Sequence, residues 1–219
     1  NEIYRLPRAV HIDHEIMRLR QAMGLADRLA DELVPLREYR WFGADGDELM
    51  TLTPETPAKS GWEPDYLFFQ PELERELDGA CAADGVAVHR GWVAEGVSQQ
   101  DGGATIDLRR HESGHRGLEP TEDTRTVNAR WVIGADGANS FVRTTAGIDR
   151  RDLGFQERWL VVDGTLDRPL ARAPHPHFVG DPARPAVCLP MSPGRHRWEW
   201  MIHPGEDAER FLAPGRIRE

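Results

Sequence analysis

Apolar positions recur early in the chain with the spacing of a helix face. Ile12, Ile16, Leu19 and Met23 fall three or four residues apart and Gly24 follows as a stop, so a helix is expected over roughly 13–23. A second, shorter amphipathic stretch covers about 26–34. "REYRWFGADGDELMTL" reads as two strands around an Asp45-Gly46 turn, and "TPETPAKSGWEP" as a proline-containing loop. The next helix is marked by Pro71 at its start, a stripe of Leu73, Leu77 and Ala80, and Gly85 at its end. "GVAVHRGWVAEGV" is strand-like, and "ATIDLRRHE" pairs back after Asp101-Gly102-Gly103. Residues 113–124 read as a polar loop, and "RTVNARWVIGADG" as a strand with a buried end.

After about residue 150 the pattern changes. "RWLVVDGTL", "HPHFVG", "PAVCLPM" and "RHRWEWMIHP" are strand-like runs separated by turn residues, with no long helix between them. An α/β part joined to an antiparallel sheet is the expected architecture, α+β overall.

The stretch "WVIGADGANSFVR", Trp131 to Arg143, carries the clearest chemical signal. An apolar run to Ile133 meets Gly-Ala-Asp-Gly and passes at once into a helix expected near 140–146. Free N–H groups at such a helix start favour an anion such as pyrophosphate. Gly134 and Gly137 permit tight backbone angles and close approach of a ligand. Asp136 would accept from ligand hydroxyls, because a carboxylate repels phosphate itself. A sugar-phosphate ligand meets both demands, and a plain Asp-Gly turn is the competing reading.

Bulk properties narrow the field. With 219 residues the chain can bury a real core, and 39% hydrophobic and 29% charged residues are ordinary for a globular protein. A formal charge of -10 without a long basic run argues against nucleic acid as a partner. No apolar stretch approaches membrane-spanning length and no signal-peptide pattern occurs, so a cytoplasmic protein with no membrane partner is expected. Cys81 and Cys188 form no CxxC, and no metal site is expected. The chain starts with Asn1 and ends in "FLAPGRIRE", as expected of part of a longer polypeptide.

"RWVIGADGANSFVR" resembles the Asp-Gly motif of class A flavoprotein aromatic hydroxylases, the p-hydroxybenzoate hydroxylase superfamily. "LPRAVHIDHEIMRLRQAMGLADRL" resembles the piece after the first βαβ unit of these enzymes, "FFQPELERELDGA" their glutamine-containing helix, and "DPARPAVCLPMSPGRHRWEWMIHPGED" their substrate-domain sheet. The likeness, strongest to the hydroxyphenylpropionate hydroxylase branch, covers nearly the whole chain. It implies FAD, NADH or NADPH as co-substrate, dioxygen, and a small phenolic or other aromatic substrate. It also implies a Rossmann-like flavin-binding part, here incomplete. Residues 1–35 and 69–153 would belong to that part, and residues 36–68 and 154–219 to the substrate sheet. By the same resemblance Arg8 matches the arginine that reaches flavin or coenzyme phosphates, and Gln70 the glutamine that contacts the ribityl chain. Asp136 and Gly137 match the shared motif, and Arg143 its closing arginine.

Each residue has a plainer alternative. Arg8 could be a solvated loop arginine, Gln70 a helix cap, and Arg143 half of a surface ion pair. The superfamily's GxGxxG turn, and its later Gly-Asp motif followed by a helix that cradles the flavin, do not occur in the sequence. Another flavin oxidoreductase of the superfamily, a halogenase or a polyketide-tailoring hydroxylase, is the runner-up, followed by a non-catalytic fragment or binding module. "HIDHE" has His11 and Glu15 on one helix face but not HExxH spacing, which favours a solvated helix start. In "WEWMIHP" His203 interrupts the Trp-x-Trp-x-Ile-Pro pattern of flavin halogenases, and Trp198 and Trp200 are more simply two residues on one strand face. Asp13 and His14 lie in a plausible stretch, but nothing ties them to proton transfer and the catalytic base is unassigned. A homodimer is compatible with the sequence.

Overall fold

Residues 3–114, 117–168, 170 and 175–213 are described in a computed structural model of the chain. They form two compact units, the described residues of 4–80 and 156–213 in one, and residue 3 with the described residues of 81–155 in the other.

In the larger unit, strand β1 (His11–Asp13) leads directly into helix α1 (His14–Ala22). Asp13 is the switch between them, its carboxylate accepting from the N–H groups of Glu15 at 3.0 Å and Ile16 at 2.9 Å. The helix lies where expected, but its apolar stripe does not face the core. Ile16, Leu19 and Met23 are exposed, while Met17 and Arg20 are buried. The docking side is chosen by partners outside the helix. Met17 packs with Ile12, Leu33, Tyr66 and Phe68, Gln21 accepts from the Trp62 indole at 3.0 Å, and Arg20 pairs with Glu76 at 2.8 Å. A residue's own periodicity yields to such tertiary contacts. His11 lies on β1 rather than on the helix, 2.8 Å from Asp65. The stretch 26–34 contains only a short 3-10 turn, Ala30–Glu32.

Strands β2 (Val34–Leu36) and β5 (Asp65–Leu67) complete a three-stranded antiparallel sheet in the order β1-β5-β2. The expected hairpin at Asp45-Gly46 forms from β3 (Tyr39–Phe42) and β4 (Glu48–Leu52). These two join β9 (Arg158–Thr165), β10 (His177–Val179), β11 (Ala186–Pro190) and β12 (Arg195–Ile202). The resulting sheet has the order β4-β3-β10-β11-β12-β9, antiparallel except for β3 with β10. Leu36, Leu67, Leu189 and Met191 form the buried cluster linking the two sheets. Helix α2 (Gln70–Ala83) starts in this unit, with Pro71 at its second position.

The smaller unit contains an antiparallel meander of β6 (Trp92–Gln100), β7 (Gly103–Gly114) and β8 (Gly117–Ala129), followed by the short helix α3 (Phe141–Thr145). Two expectations are corrected here. Residues 113–124 are not a loop, because β7 and β8 run through most of them as one long ribbon. Both faces of this ribbon meet solvent, so polar cross-strand pairs replace an apolar face. The Thr126 hydroxyl donates to Asp107 at 2.7 Å, and the Arg109 guanidinium to the carbonyl of Thr121 at 3.2 Å. The other correction concerns the strand expected to end buried at Ile133. Strand β8 stops at Ala129, and Trp131 and Ile133 are 84% and 89% exposed. Among the described strands none pairs with residues 131–133, and an apolar run is buried only where a neighbouring element covers it.

On one face of the six-stranded sheet His196 is buried and lies 3.0 Å from the Cys188 sulfur and 4.7 Å, ring to ring, from Trp198. Burial, aided by nearby His177, lowers the His196 pKa from 6.5 to about 4. The folded state therefore holds the neutral ring, and the unfolded chain takes up the proton first as pH falls. Stability from this site is complete above pH 6.5 and is lost on descent toward pH 4. Melting at pH 7.5 and 4.5 should cost the parent about 2 kcal/mol more than His196→Gln. Equal acid losses in both proteins would place the responsible proton elsewhere.

Candidate functional site

Arg197 stands on β12, a strand paired on both sides, and its side chain is only 3% exposed. A guanidinium in such a position needs partners for its donors. Its Nε and Nη2 donate to the two Asp163 oxygens at 2.6 and 2.8 Å, a bidentate pair across the β12–β9 register. Nη2 also donates to the Pro7 carbonyl at 2.5 Å, and Nη1 to the Arg8 carbonyl at 2.9 Å.

The same loop is held from its other side by Gln70. The Gln70 Oε1 accepts from the N–H groups of Arg8 at 2.7 Å and Ala9 at 2.8 Å, while its Nε2 donates to Glu74 at 2.6 Å. Gln70 thus spends its amide on the loop instead of capping α2. The backbone of Arg8 is gripped at both its N–H and its C=O. Its guanidinium is exposed and makes no bond among the described residues.

Next to this loop is a cleft of about 130 Å³ lined by Leu6, Pro7, Phe69, Asp163, Met191 and Arg195, among others. The Arg195 guanidinium lies 3.8 Å above the Phe69 ring and 4.0 Å from Glu72. A wider depression of about 340 Å³ in the smaller unit is lined by residues 100–105 and 128–130. It is mostly turn backbone and brings no set of side chains to one point, so the smaller cleft is the better candidate.

The Gly-Ala-Asp-Gly turn belongs to the smaller unit. Gly137 has φ +80°, a conformation side chains rarely adopt. At Gly134 an added Cβ would come within 2.9 Å of the Val142 side chain, so the turn packs directly on α3. Asp136 Oδ1 accepts from the Ser140 hydroxyl at 2.5 Å and Oδ2 from the Val142 N–H at 3.1 Å. These two bonds, the hydroxyl's first, hold the carboxyl below its ordinary range. Ser140 also caps α3 by accepting from the Arg143 N–H at 3.0 Å. The Arg143 guanidinium turns back to the Ala138 carbonyl at 2.9 Å, where Arg150 donates as well at 2.6 Å. With only five residues, α3 offers little dipole for an anion. Of the residues expected at the site, Arg8 and Gln70 meet in one cluster, and Asp136, Gly137 and Arg143 in another.

Sequence reasoning missed Arg197, Asp163, Arg195 and Glu199. A signal existed in "RHRWEW": charges at 195, 197 and 199 alternate with His196, Trp198 and Trp200. One strand face holding three charges, in a strand paired on both edges, marks a built polar site.

Comparison with known proteins identifies the chain's family and relatives. The model of the FAD binding domain family matches residues 1–214. The chain is 33% identical over 216 residues to a probable NADH-specific resorcinol 4-hydroxylase of Rhodococcus jostii (strain RHA1), covering 98% of the chain and 39% of that protein. It is 33% identical over 214 residues to a 3-(3-hydroxy-phenyl)propionate/3-hydroxycinnamic acid hydroxylase of Paraburkholderia xenovorans (strain LB400), covering 97% of the chain and 32% of the relative. The chain therefore spans about a third to two fifths of these relatives' length. Among solved structures, p-nitrophenol 4-monooxygenase PnpA from Pseudomonas putida DLL-E4 superposes with a TM-score of 0.80 at 20% identity, over 100% of this chain and 54% of that one. Aklavinone-11 hydroxylase, solved with FAD and aklavinone, gives 0.72 at 24% identity, over 98% of this chain and 42% of that one.

The close approach at Gly134 gives a direct test of the turn. Gly134→Ala should destabilise the protein by about 1–3 kcal/mol in denaturant unfolding, and Val142→Ala added to it should recover part of that loss. A neutral Gly134→Ala would show that the turn does not pack on α3 as described.

Proposed function

The chain belongs to the FAD binding domain family, and we propose that it is part of an FAD-dependent monooxygenase that hydroxylates a phenolic ring using NADH or NADPH and dioxygen. One observation carries this reading: the exposed Arg8 guanidinium makes no bond among the described residues and is mounted on a backbone fixed by Gln70 and Arg197. A rigidly presented guanidinium suits a phosphate of FAD or of the coenzyme.

The residues present fit such a cofactor. Asp136 is held ionised, and its two local bonds leave acceptor capacity for a sugar hydroxyl. Gly137 permits close backbone approach, and Arg143 keeps the turn in shape. The second Nε2 proton of Gln70 is available to a ligand hydroxyl. Phe69, Met191 and Leu6 offer apolar contact at the cleft. When bound, reduced FAD would supply the activation of dioxygen, which no side chain here can perform. The chain's own residues hold the cofactor, orient the aromatic substrate and exclude water.

In this reading residues 1–35 and 69–153 serve the flavin, and residues 36–68 and 154–219 the substrate. The enzyme works on a small aromatic molecule in the cytoplasm, where reduced coenzyme is supplied, and a homodimer is compatible with it. No helix among the described residues is long and apolar enough to cross a membrane.

In the full-length enzyme, Arg8→Ala should weaken FAD binding or raise the KM for NADH about tenfold, the loss of one charge-assisted contact of about 1.5 kcal/mol or more. Arg18, an exposed partner of Glu15 on α1, is the control and should change neither when replaced by Ala. Flavin fluorescence titration and coenzyme oxidation stimulated by phenols measure both. No flavin bound, or no stimulation by any phenol, would overturn the proposed activity. Unchanged constants in Arg8→Ala would remove Arg8 from the site.

A further inference from the structure

The register of the large sheet puts five residues in one cross-strand row. Trp41 pairs with Phe178, Phe178 with Val187, Val187 with Glu199, and Glu199 with Val161. Directly paired residues share a sheet face, so the Glu199 carboxylate is a single charge in a row of apolar side chains. Trp41 and Phe178 are stacked 5.0 Å apart with their planes 16° off parallel. Val161 is 44% exposed and the Glu199 side chain 24%, so the row is open to a ligand. Neighbouring strands lie about 4.8 Å apart, which puts Glu199 about 10 Å from Phe178, with the half-buried Val187 between them.

Glu199 has no hydrogen-bond partner among the described residues. Its one charged contact is Arg197 Nη1 at 3.7 Å. That guanidinium is already paired with Asp163 and with two loop carbonyls, so Asp163, Arg197 and Glu199 together leave one negative charge. Of the other nearby charges, Arg195 lies over Phe69 and His11 beside Asp65, which also accepts from the Tyr39 hydroxyl at 2.6 Å, while the exposed Arg8 guanidinium is carried on the loop whose carbonyl takes Arg197 Nη1. Burial, opposed by Arg197 and reinforced by Asp163, pushes the Glu199 carboxyl above its ordinary range, as expected of an acceptor whose solvation is incomplete.

We infer that Glu199 accepts a hydrogen bond from a hydroxyl of the aromatic substrate and selects a neutral polyhydroxylated ring over an aromatic acid. This rests on the reading of the chain as part of an aromatic hydroxylase. The apolar row supplies contact for the ring, and the unpartnered carboxylate supplies the acceptor. A substrate carboxylate placed on this row would meet Glu199, whose neighbouring Arg197 guanidinium is already answered by Asp163, and like charges at short range discriminate strongly.

The test uses the full-length FAD-loaded enzyme with resorcinol as the neutral probe and 3-(3-hydroxyphenyl)propionate as the anionic one. Isothermal titration calorimetry gives the two dissociation constants, and NADH oxidation gives turnover. The parent should bind resorcinol at least about tenfold more tightly, and Glu199→Gln should shrink that ratio at least about fivefold, with weaker resorcinol and tighter propionate binding. Glu199→Asp, which keeps the charge, should still favour resorcinol and guards against a Gln variant that fails to hold flavin. A parent that prefers the propionate overturns the inference, as does a flavin-loaded Gln variant with an unchanged ratio. The expected binding ratios without any stimulated NADH oxidation would uphold the selectivity of Glu199 and overturn the hydroxylase reading instead.

Discussion

A buried guanidinium must be answered by acceptors, and the arrangement of the larger unit follows from how Arg197 is answered. Asp163 takes two of its N–H groups across the strand pair, and the carbonyls of Pro7 and Arg8, up to 190 residues away in sequence, take two more. Removing the guanidinium would leave a carboxylate and two carbonyls short of donors, which costs more than the pair itself contributes. What Arg197 chiefly confers is geometry. It ties a loop with no regular hydrogen-bonding of its own to an interior strand of the six-stranded sheet.

Gln70 completes that geometry from the opposite side, at the first position of α2. Between the two, the Arg8 backbone is bonded at both its N–H and its C=O, and its exposed guanidinium makes no bond among the described residues. Functional sites are commonly built this way, with reactive groups on loops and their supports on strands and helices. The same strand that supplies Arg197 also presents Arg195 toward Phe69 and Glu199 toward the apolar row. Three alternate positions of one strand thus serve the cleft, the loop and the open face.

Much of this was legible in the sequence where local chemistry decides the outcome. Pro71 and Gly85 as helix bounds, Asp45-Gly46 as a hairpin turn and the strand run after 150 all act through their immediate neighbours. Arg8 and Gln70 were named by family resemblance, but their mutual contact spans 62 residues and has no local signature. The failures have the same origin. The stripe of Ile16, Leu19 and Met23 faces solvent because Met17 and Arg20 have partners on β5 and α2 and the loops beside them. The polar text of 113–124 became strand because a ribbon wetted on both faces needs no apolar alternation. Arg197, Asp163 and Glu199 were hidden because their meaning lies in the register of β9, β11 and β12, which no single segment specifies.

The central claim is that Arg197 orders the loop that carries Arg8. Hydrogen exchange of the Arg8 and Ala9 amides in full-length Arg197→Lys measures it most directly, because lysine keeps the charge but lacks the fork that reaches Asp163 and both carbonyls together. The account predicts that these two amides exchange about tenfold faster or more, while amides of the β6–β7 hairpin keep their protection. Unchanged protection at residues 8 and 9 in a folded Arg197→Lys protein would contradict it.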